Sequence, residues 1–301
     1  MYDQVARNKR RSIVIIVVFV VLVAAVLEAI NLLLGGGIYF GIFALLLAGG
    51  SAALSYWKSD AIALRVSKAK PAPMEEYQRL HNIVEGLCIA GGLPKPRIYV
   101  VDDAAPNAFA TGRDPKHAAI AVTTGLLERM NRVELEGVIA HELSHIKNYD
   151  ILVSTLVVTM VGIIAIVTDV GVNMMFWSSR SNRKSNDNAG IASILALVGF
   201  VFLIFAPLIA RVLQASVSRQ REALADISGV ELTRFPPGLI SALEKLRDDN
   251  TEVGSISHAT AHLWIEQPQA IETSLGRKGK VNRMFDTHPP IEERIALLRE
   301  L

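Results

Sequence analysis

His141-Glu142-Leu143-Ser144-His145 sets two imidazoles four residues apart with a carboxyl group between them. In a helix, residues i and i+4 share one face, so both rings can reach a single ion. Glu142 lies beside that face, where it can take a proton from a water acidified by the ion. Two histidine ligands and a general base are the core of a zinc-assisted hydrolytic centre. Such a centre needs a third protein ligand and leaves the fourth position to water. The best source is residues 218–226, Ser-Arg-Gln-Arg-Glu-Ala-Leu-Ala-Asp. Glu222 and Asp226 are again i and i+4, so one helix can present both. Glu222 is expected to bind the ion. Asp226 is expected to accept the second ring N–H of a ligand histidine, which fixes its tautomer and orientation.

Other polar residues compete less well. His258 and His262 have the i,i+4 spacing, but no Glu stands between them and the stretch 250–281 is poorly patterned. His81 and His117 read as surface residues. His288 precedes Pro289-Pro290, which makes a fixed turn. Two roles stay open for it: a donor or cation at the oxyanion, or a structural element that starts a C-terminal helix over 291–301. The single cysteine, Cys88, excludes an intrachain disulfide and a cysteine-based zinc site. It sits in an apolar helical run and reads as a small buried hydrophobe.

These side chains need a scaffold. Tyr77, Leu80, Ile83, Val84 and Leu87 recur at helical spacing over 75–90, and Gly91-Gly92 stops that helix before Pro94 and Pro96. Residues 97–102 and 118–123 read as strands, with a polar turn over 113–116. Asn131, with Glu134 three residues on, is expected to cap the metal helix. Between the strands lie Asn107, Ala108, Phe109 and Ala110. A small sheet is thus expected just before the helix that carries His141.

The whole chain is more apolar than a soluble protein: 301 residues, 51% hydrophobic, with a mean hydropathy of +0.34. The net charge of +2 carries no nucleic-acid footprint. Residues 13–34, 38–57, 151–177 and 191–211 each approach the roughly 20 apolar residues of a spanning helix. Glu28 and Asp169 are costly in lipid and are expected to face protein or an interface. Arg7, Lys9, Arg10 and Arg11 precede the first stretch and favour a cytoplasmic N-terminus. Arg180, Arg183 and Lys184, in the loop after the third, pull the other way. Residues 58–73 read as a basic linker closed by Pro71-Ala72-Pro73.

Taken together, the residues 106–112 (Pro-Asn-Ala-Phe-Ala-Thr-Gly), 141–145, 218–226 and 287–290 (Thr-His-Pro-Pro), with an apolar pair before each half of the motif set, resemble the membrane zinc metalloproteases of the HtpX type, kin to the CAAX prenyl proteases. The resemblance covers nearly the whole chain. Ala223 stands where an aromatic residue is frequent and Asp286 where Ser is usual; Asp286 adds negative charge near His288. The resemblance implies a gluzincin catalytic domain with one zinc ion on His141, His145 and Glu222, and Glu142 as base. It also implies quality control of membrane proteins, with cleavage of cytoplasmic segments. The stretch Asn107 to Ala110 resembles the edge strand that pairs with substrate in other gluzincins, and Asn107 can donate to the substrate or the oxyanion.

The expected architecture is a mainly α membrane protein with an α+β zincin catalytic domain, about four transmembrane helices and a small β-sheet before the zinc helix. Its parts are a membrane hairpin (1–57), a first catalytic part (58–150), a second hairpin (151–213) and a second catalytic part (214–301). The expected location is the cell's inner membrane, with the active site on the cytoplasmic side. Expected partners are the lipid bilayer and membrane-protein or unfolded-polypeptide substrates, with no nucleic acid; the oligomeric state is open. Two other classes fit the motif less closely: a zinc hydrolase of a non-peptide substrate, and a membrane scaffold or chaperone that keeps zinc for folding.

Overall fold

The computed structural model describes residues 2–34, 37–156, 219–249, 251, 264–265 and 289–301. Two long helices open the chain, α1 (Tyr2–Leu34) and α2 (Ile38–Val66). They pack side by side, and Phe19 and Ala52 close on Leu152 and Leu156 of the helical stretch 150–156. Among the described residues no helix is long and apolar enough to cross a membrane, so the reading of four spans is not carried by the structure. The third and fourth stretches lie, apart from residues 151–156, outside the described residues, as do Asp169 and the cations of the loop after it. Glu28 is exposed on α1.

The expected linker over 58–73 is largely helix instead. α2 continues to Val66 because Ala63 and Leu64 are buried against Phe109, Ala119 and Ala121 of the sheet. Its basic residues alternate with that buried stripe, and the sequence reading gave the charge too much weight.

The sheet has four strands in the order β1 (Lys70–Pro71), β2 (Arg97–Val101), β4 (Ala118–Thr123), β3 (Ala108–Gly112). β2 and β4 are parallel; the outer pairs are antiparallel. Strict alternation serves two cores. Ile98, Val100, Ala108, Ala110, Ile120 and Val122 face the main core. Val101, Phe109, Ala119 and Ala121 face α2 and Trp264 on the other side.

The main core is closed by α3 (Gln78–Gly91), whose Leu80, Ile83, Val84 and Leu87 are buried at helical spacing. Gly92 ends α3 in the left-handed region at φ 64°, while the Leu93 N–H returns to the Cys88 carbonyl at 2.9 Å. Cys88 is buried, as expected. After the short α4 (Thr124–Arg129) comes α5 (Arg132–Lys147), the central helix. Asn131 caps it in a full capping box with Glu134. Glu134 also accepts from Ser241 Oγ and Lys245 Nζ, both at 2.7 Å. Those residues belong to α7 (Pro236–Asp248), which packs on α5 beside α6 (Arg219–Thr233). The C-terminal helix α8 (Ile291–Arg299) follows Pro290 and lies across α6 and α7.

Candidate metal centre

α5 buries nearly every residue from Leu135 to Ser144, so His141 and Glu142 come to lie inside the protein, 1% and 3% exposed. The opposing wall is α6. Its Glu222, Asp226 and Gly229 fall at i, i+4 and i+7, one stripe turned toward α5. Gly229 is what lets the helices meet: a Cβ there would stand 3.0 Å from the His141 backbone nitrogen. That close approach carries the Glu222 carboxylate to the histidines.

His141, His145 and Glu222 each offer a ligand atom, all within 4.8 Å of one another. The two Nε2 atoms are 3.1 Å apart. The Glu222 oxygens lie 3.6 Å from each Nε2. A tetrahedral zinc site with bonds of 2.0–2.1 Å has ligand–ligand edges of about 3.3 Å. The three residues therefore fit one zinc ion without rearrangement.

Each histidine is turned by a carboxylate behind it. His141 Nδ1 is 2.9 Å from Asp226 Oδ1, the role expected of Asp226. His145 Nδ1 is 3.1 Å from Asp150 Oδ2. In both cases the carboxylate accepts from Nδ1–H and leaves Nε2 for the ion. Asp226 is fully buried and receives a bidentate guanidinium: Arg294 Nε at 2.9 Å and Nη2 at 2.6 Å. Burial disfavours the charged carboxylate, but Arg294 and His141 outweigh it and hold Asp226 at about 2. Arg294 itself is buried yet raised further above its ordinary value, because Asp226, Glu222 and Glu142 outweigh its desolvation. Its Nη2 also lies 3.3 Å from His141 Nδ1. Burial lowers His145, but Glu222, Asp150 and Glu142 raise it more, to about 9.

The sheet edge has a second occupant. β3 is an outer strand, and its Ala108 carbonyl accepts from the Ile265 N–H at 3.0 Å. Trp264 packs its ring on Phe109, with centroids 4.7 Å apart. Asn107 is buried; its Oδ1 accepts from the Ala108 N–H at 3.0 Å, and its own backbone is tied to Thr123. The expected substrate strand is therefore an edge strand beside α5, with its first carbonyl already held by the chain.

His81 Nε2–H donates to the Ala72 carbonyl at 2.9 Å, and His117 pairs with Asp114. Neither belongs to the ligand group of His141, His145 and Glu222. His258, His262, Asp286 and His288 lie outside the described residues.

Sequence reasoning missed Asp150 and Arg294. Arg294 did leave a signal: it falls on the buried stripe of α8 with Ile295 and Leu298, where an unpaired charge is not tolerated. Asp150 sits just beyond α5 in an otherwise apolar start, which reads equally as a helix boundary.

The chain is similar to known proteins over most of its length. A profile of peptidase family M48 matches residues 74–301. A "Protease HtpX homolog" of Thermoanaerobacter pseudethanolicus is 48% identical over 248 residues, covering 82% of this chain and 80% of that one. Another of the same name from Tropheryma whipplei is 42% identical over 301 residues, covering 100% and 98%. Among solved structures, the crystal structure of S. mikatae Ste24p shares 17% identity at a TM-score of 0.49, over 99% of this chain and 66% of that one. The chain belongs to peptidase family M48 and is a metalloprotease related to the HtpX-type proteases.

Proposed function

We propose that this protein is a membrane-embedded zinc endopeptidase that cleaves cytoplasmic segments of misfolded or damaged membrane proteins. The observation that carries the chemistry is the convergence of His141, His145 and Glu222 on one point, with Glu142 buried on the same helix.

His141, His145 and Glu222 would hold the ion. When bound, zinc supplies Lewis acidity toward water and toward a peptide carbonyl. Glu142 accepts the proton of the attacking water and delivers it to the leaving amine. Asp226 and Asp150 keep both imidazoles in the Nδ1–H tautomer throughout. An extended substrate would align along β3, where Ala108 and Ala110 present main-chain groups, so side-chain preference is broad. Ile265 holds the Ala108 carbonyl, so the substrate either begins at Ala110 or replaces Ile265. Asn107 supports the bend into this strand and is proposed to orient the substrate; His288 keeps the oxyanion and structural roles open to it.

The membrane reading rests on the apolar stretches and on two helices of 33 and 29 residues, about 50 and 44 Å long at 1.5 Å per residue. The described side chains of α1 and α2 do not make up a full apolar span by themselves, but Ile13, Val14, Val21, Ile42 and Leu46 are all more than half exposed. Lipid is the medium that suits such a surface. The division at 57, 150 and 213 follows from this reading, as does an inner-membrane location with the active site cytoplasmic.

The test is proteolysis of an unfolded model protein by detergent-purified enzyme, with zinc, with chelator, and with Glu142→Gln under zinc. Zinc-dependent cleavage that falls at least about a hundredfold in the Gln variant, with zinc still bound, is the expected result. Unchanged turnover in Glu142→Gln would remove that residue as the base. No cleavage by a zinc-loaded wild type would remove the broad endopeptidase reading.

A further inference from the structure

The matched part of the chain begins at residue 74, yet a buried side chain of α1 reaches the metal centre. Asn8 is 2% exposed. Its Nδ2 donates to Asp150 Oδ1 at 2.7 Å and to the Asn148 carbonyl at 2.8 Å. Both partners are acceptors, which fixes the amide's orientation. Asp150 Oδ2 is the atom that holds His145 Nδ1. One carboxylate thus bridges Asn8 and a metal ligand.

The turn between these acceptors is unusual. Tyr149, between Asn148 and Asp150, has φ 60°, a left-handed conformation that an aromatic residue rarely adopts. A single amide grips the backbone before it and the carboxylate after it. Lys9, the next residue of α1, lies over the Tyr149 ring at 4.6 Å. Arg221 Nη1 also lies near Asp150 Oδ1, at 3.5 Å, and adds positive charge beside the carboxylate. Asn8 makes the shorter of the two contacts to that oxygen, at 2.7 Å.

We infer that Asn8 is a positioning residue for His145, which makes α1 a working part of the catalytic centre as well as an anchor. Asn8 touches neither substrate nor ion. It acts by fixing Asp150, which fixes the His145 ring and its tautomer. The inference rests on the zinc reading given above.

The test uses full-length protein in detergent micelles and compares Asn8→Ala, Asn8→Asp, Asp150→Ala and Ser12→Ala with wild type. Ser12 is buried one turn along α1, where its hydroxyl donates to the Asn8 carbonyl at 3.0 Å. The readouts are zinc release to a chelator, the visible spectrum of the cobalt-substituted protein, and kcat and KM separately. Loss of a partner directly behind a metal ligand weakens metal binding by about 10–100-fold, so Asp150→Ala should release zinc that much faster. Asn8, one bond further out, should give about 3–10-fold, with kcat falling alike, KM little changed and a shifted cobalt spectrum. Asn8→Asp keeps the shape but sets a carboxylate against Asp150, so it should be worse than Asn8→Ala; a packing role alone predicts the reverse order. Ser12→Ala should match wild type.

Wild-type zinc release and spectra in both Asn8 variants, beside a defective Asp150→Ala, would overturn the inference and leave the zinc reading intact. So would Asn8→Asp behaving better than Asn8→Ala, or Ser12→Ala matching the Asn8 variants. A wild-type protein that binds no zinc would bring down the zinc reading and this inference together.

Discussion

Replacing Arg294 with Met tests whether the centre is held by a buried charge pair or merely surrounded by one. Arg294 and Asp226 are 2% and 0% exposed and joined by two short hydrogen bonds. Met fills similar volume without charge, so packing changes little and the main effect is a buried carboxylate that keeps the His141 N–H but loses its counter-charge. Breaking a buried pair from one side destabilises by about 3–5 kcal/mol. For a chain of this size each kcal/mol moves the melting temperature by about 2–4 °C, so Arg294→Met should melt about 6–20 °C below wild type. The carboxylate's own shift gives a second estimate. Asp226 is lowered from 3.8 to about 2, which corresponds to about 2 kcal/mol of pH-dependent stability. Because the folded pKa is depressed, that stability is present above about pH 4 and is lost as pH falls through 2.

The assay is thermal unfolding of the detergent-solubilised protein at one scan rate, with Asp226→Asn and the double variant alongside. Most of the penalty comes from leaving a buried charge without its counter-charge, so the double variant should cost far less than the sum of the singles. A coupling of about 3 kcal/mol is expected, and the gap between wild type and Arg294→Met should narrow below pH 4. A single variant within 2 °C of wild type (about 1 kcal/mol or less), or strict additivity, would refute the argument.

Three further outcomes follow from the same geometry. Gly229→Ala should separate α6 from α5, since its Cβ would stand 3.0 Å from the His141 nitrogen; a loss of about 1–3 kcal/mol with weaker zinc binding is expected, and a normal zinc dissociation constant would sink it. Metal-free His145 titrates at about 9, so its raised pKa favours the protonated, metal-free form below that value. Zinc uptake must then displace a proton, and affinity measured against a competing chelator should rise about tenfold per pH unit from pH 7 to 9 and level above; a flat profile contradicts this. Burial pushes the Cys88 thiol up to about 11 from 9.0, so its alkylation at pH 8 should run at least about a hundredfold slower than in the unfolded chain, and equal rates would contradict its burial.

Local periodicity made much of this protein readable. His141, Glu142 and His145 lie within one turn of one helix, and Glu222 and Asp226 within one turn of another, so spacing alone puts each set on one face. The alternation in β2 and β4, the Gly92 stop and the Asn131 capping box are similarly local. What escaped was whatever depends on which faces meet. Nothing near Asp150 in the sequence says that its carboxylate folds back to His145, because the turn at Tyr149 requires a rare backbone conformation. Asn8 sits among Arg7, Lys9 and Arg10 and looks like one more polar residue before an apolar helix. Trp264 and Ile265 belong to a stretch without periodicity, so their seat on β3 had no local sign. The end of α2 was misjudged because its charges mask the two residues, Ala63 and Leu64, that pack on the sheet.

The arrangement explains why the centre draws on both ends of the chain. An imidazole on a helix can rotate about its own axis and can protonate at either nitrogen. The two i,i+4 histidines alone would not hold a fixed tetrahedral edge. Asp226 and Asp150 remove that freedom, but a buried carboxylate left alone would protonate and give up its grip. Each therefore needs a donor of its own, and α5 has no side left to supply one: its faces are taken by the sheet, α6 and α7. The donors come instead from Arg294, 68 residues beyond Asp226, and from Asn8, 142 residues before Asp150. On the proposed role of Asn8, docking of α1 and α8 tightens the ligand geometry, so a chain lacking either helix should keep the His141–His145 motif and lose precision.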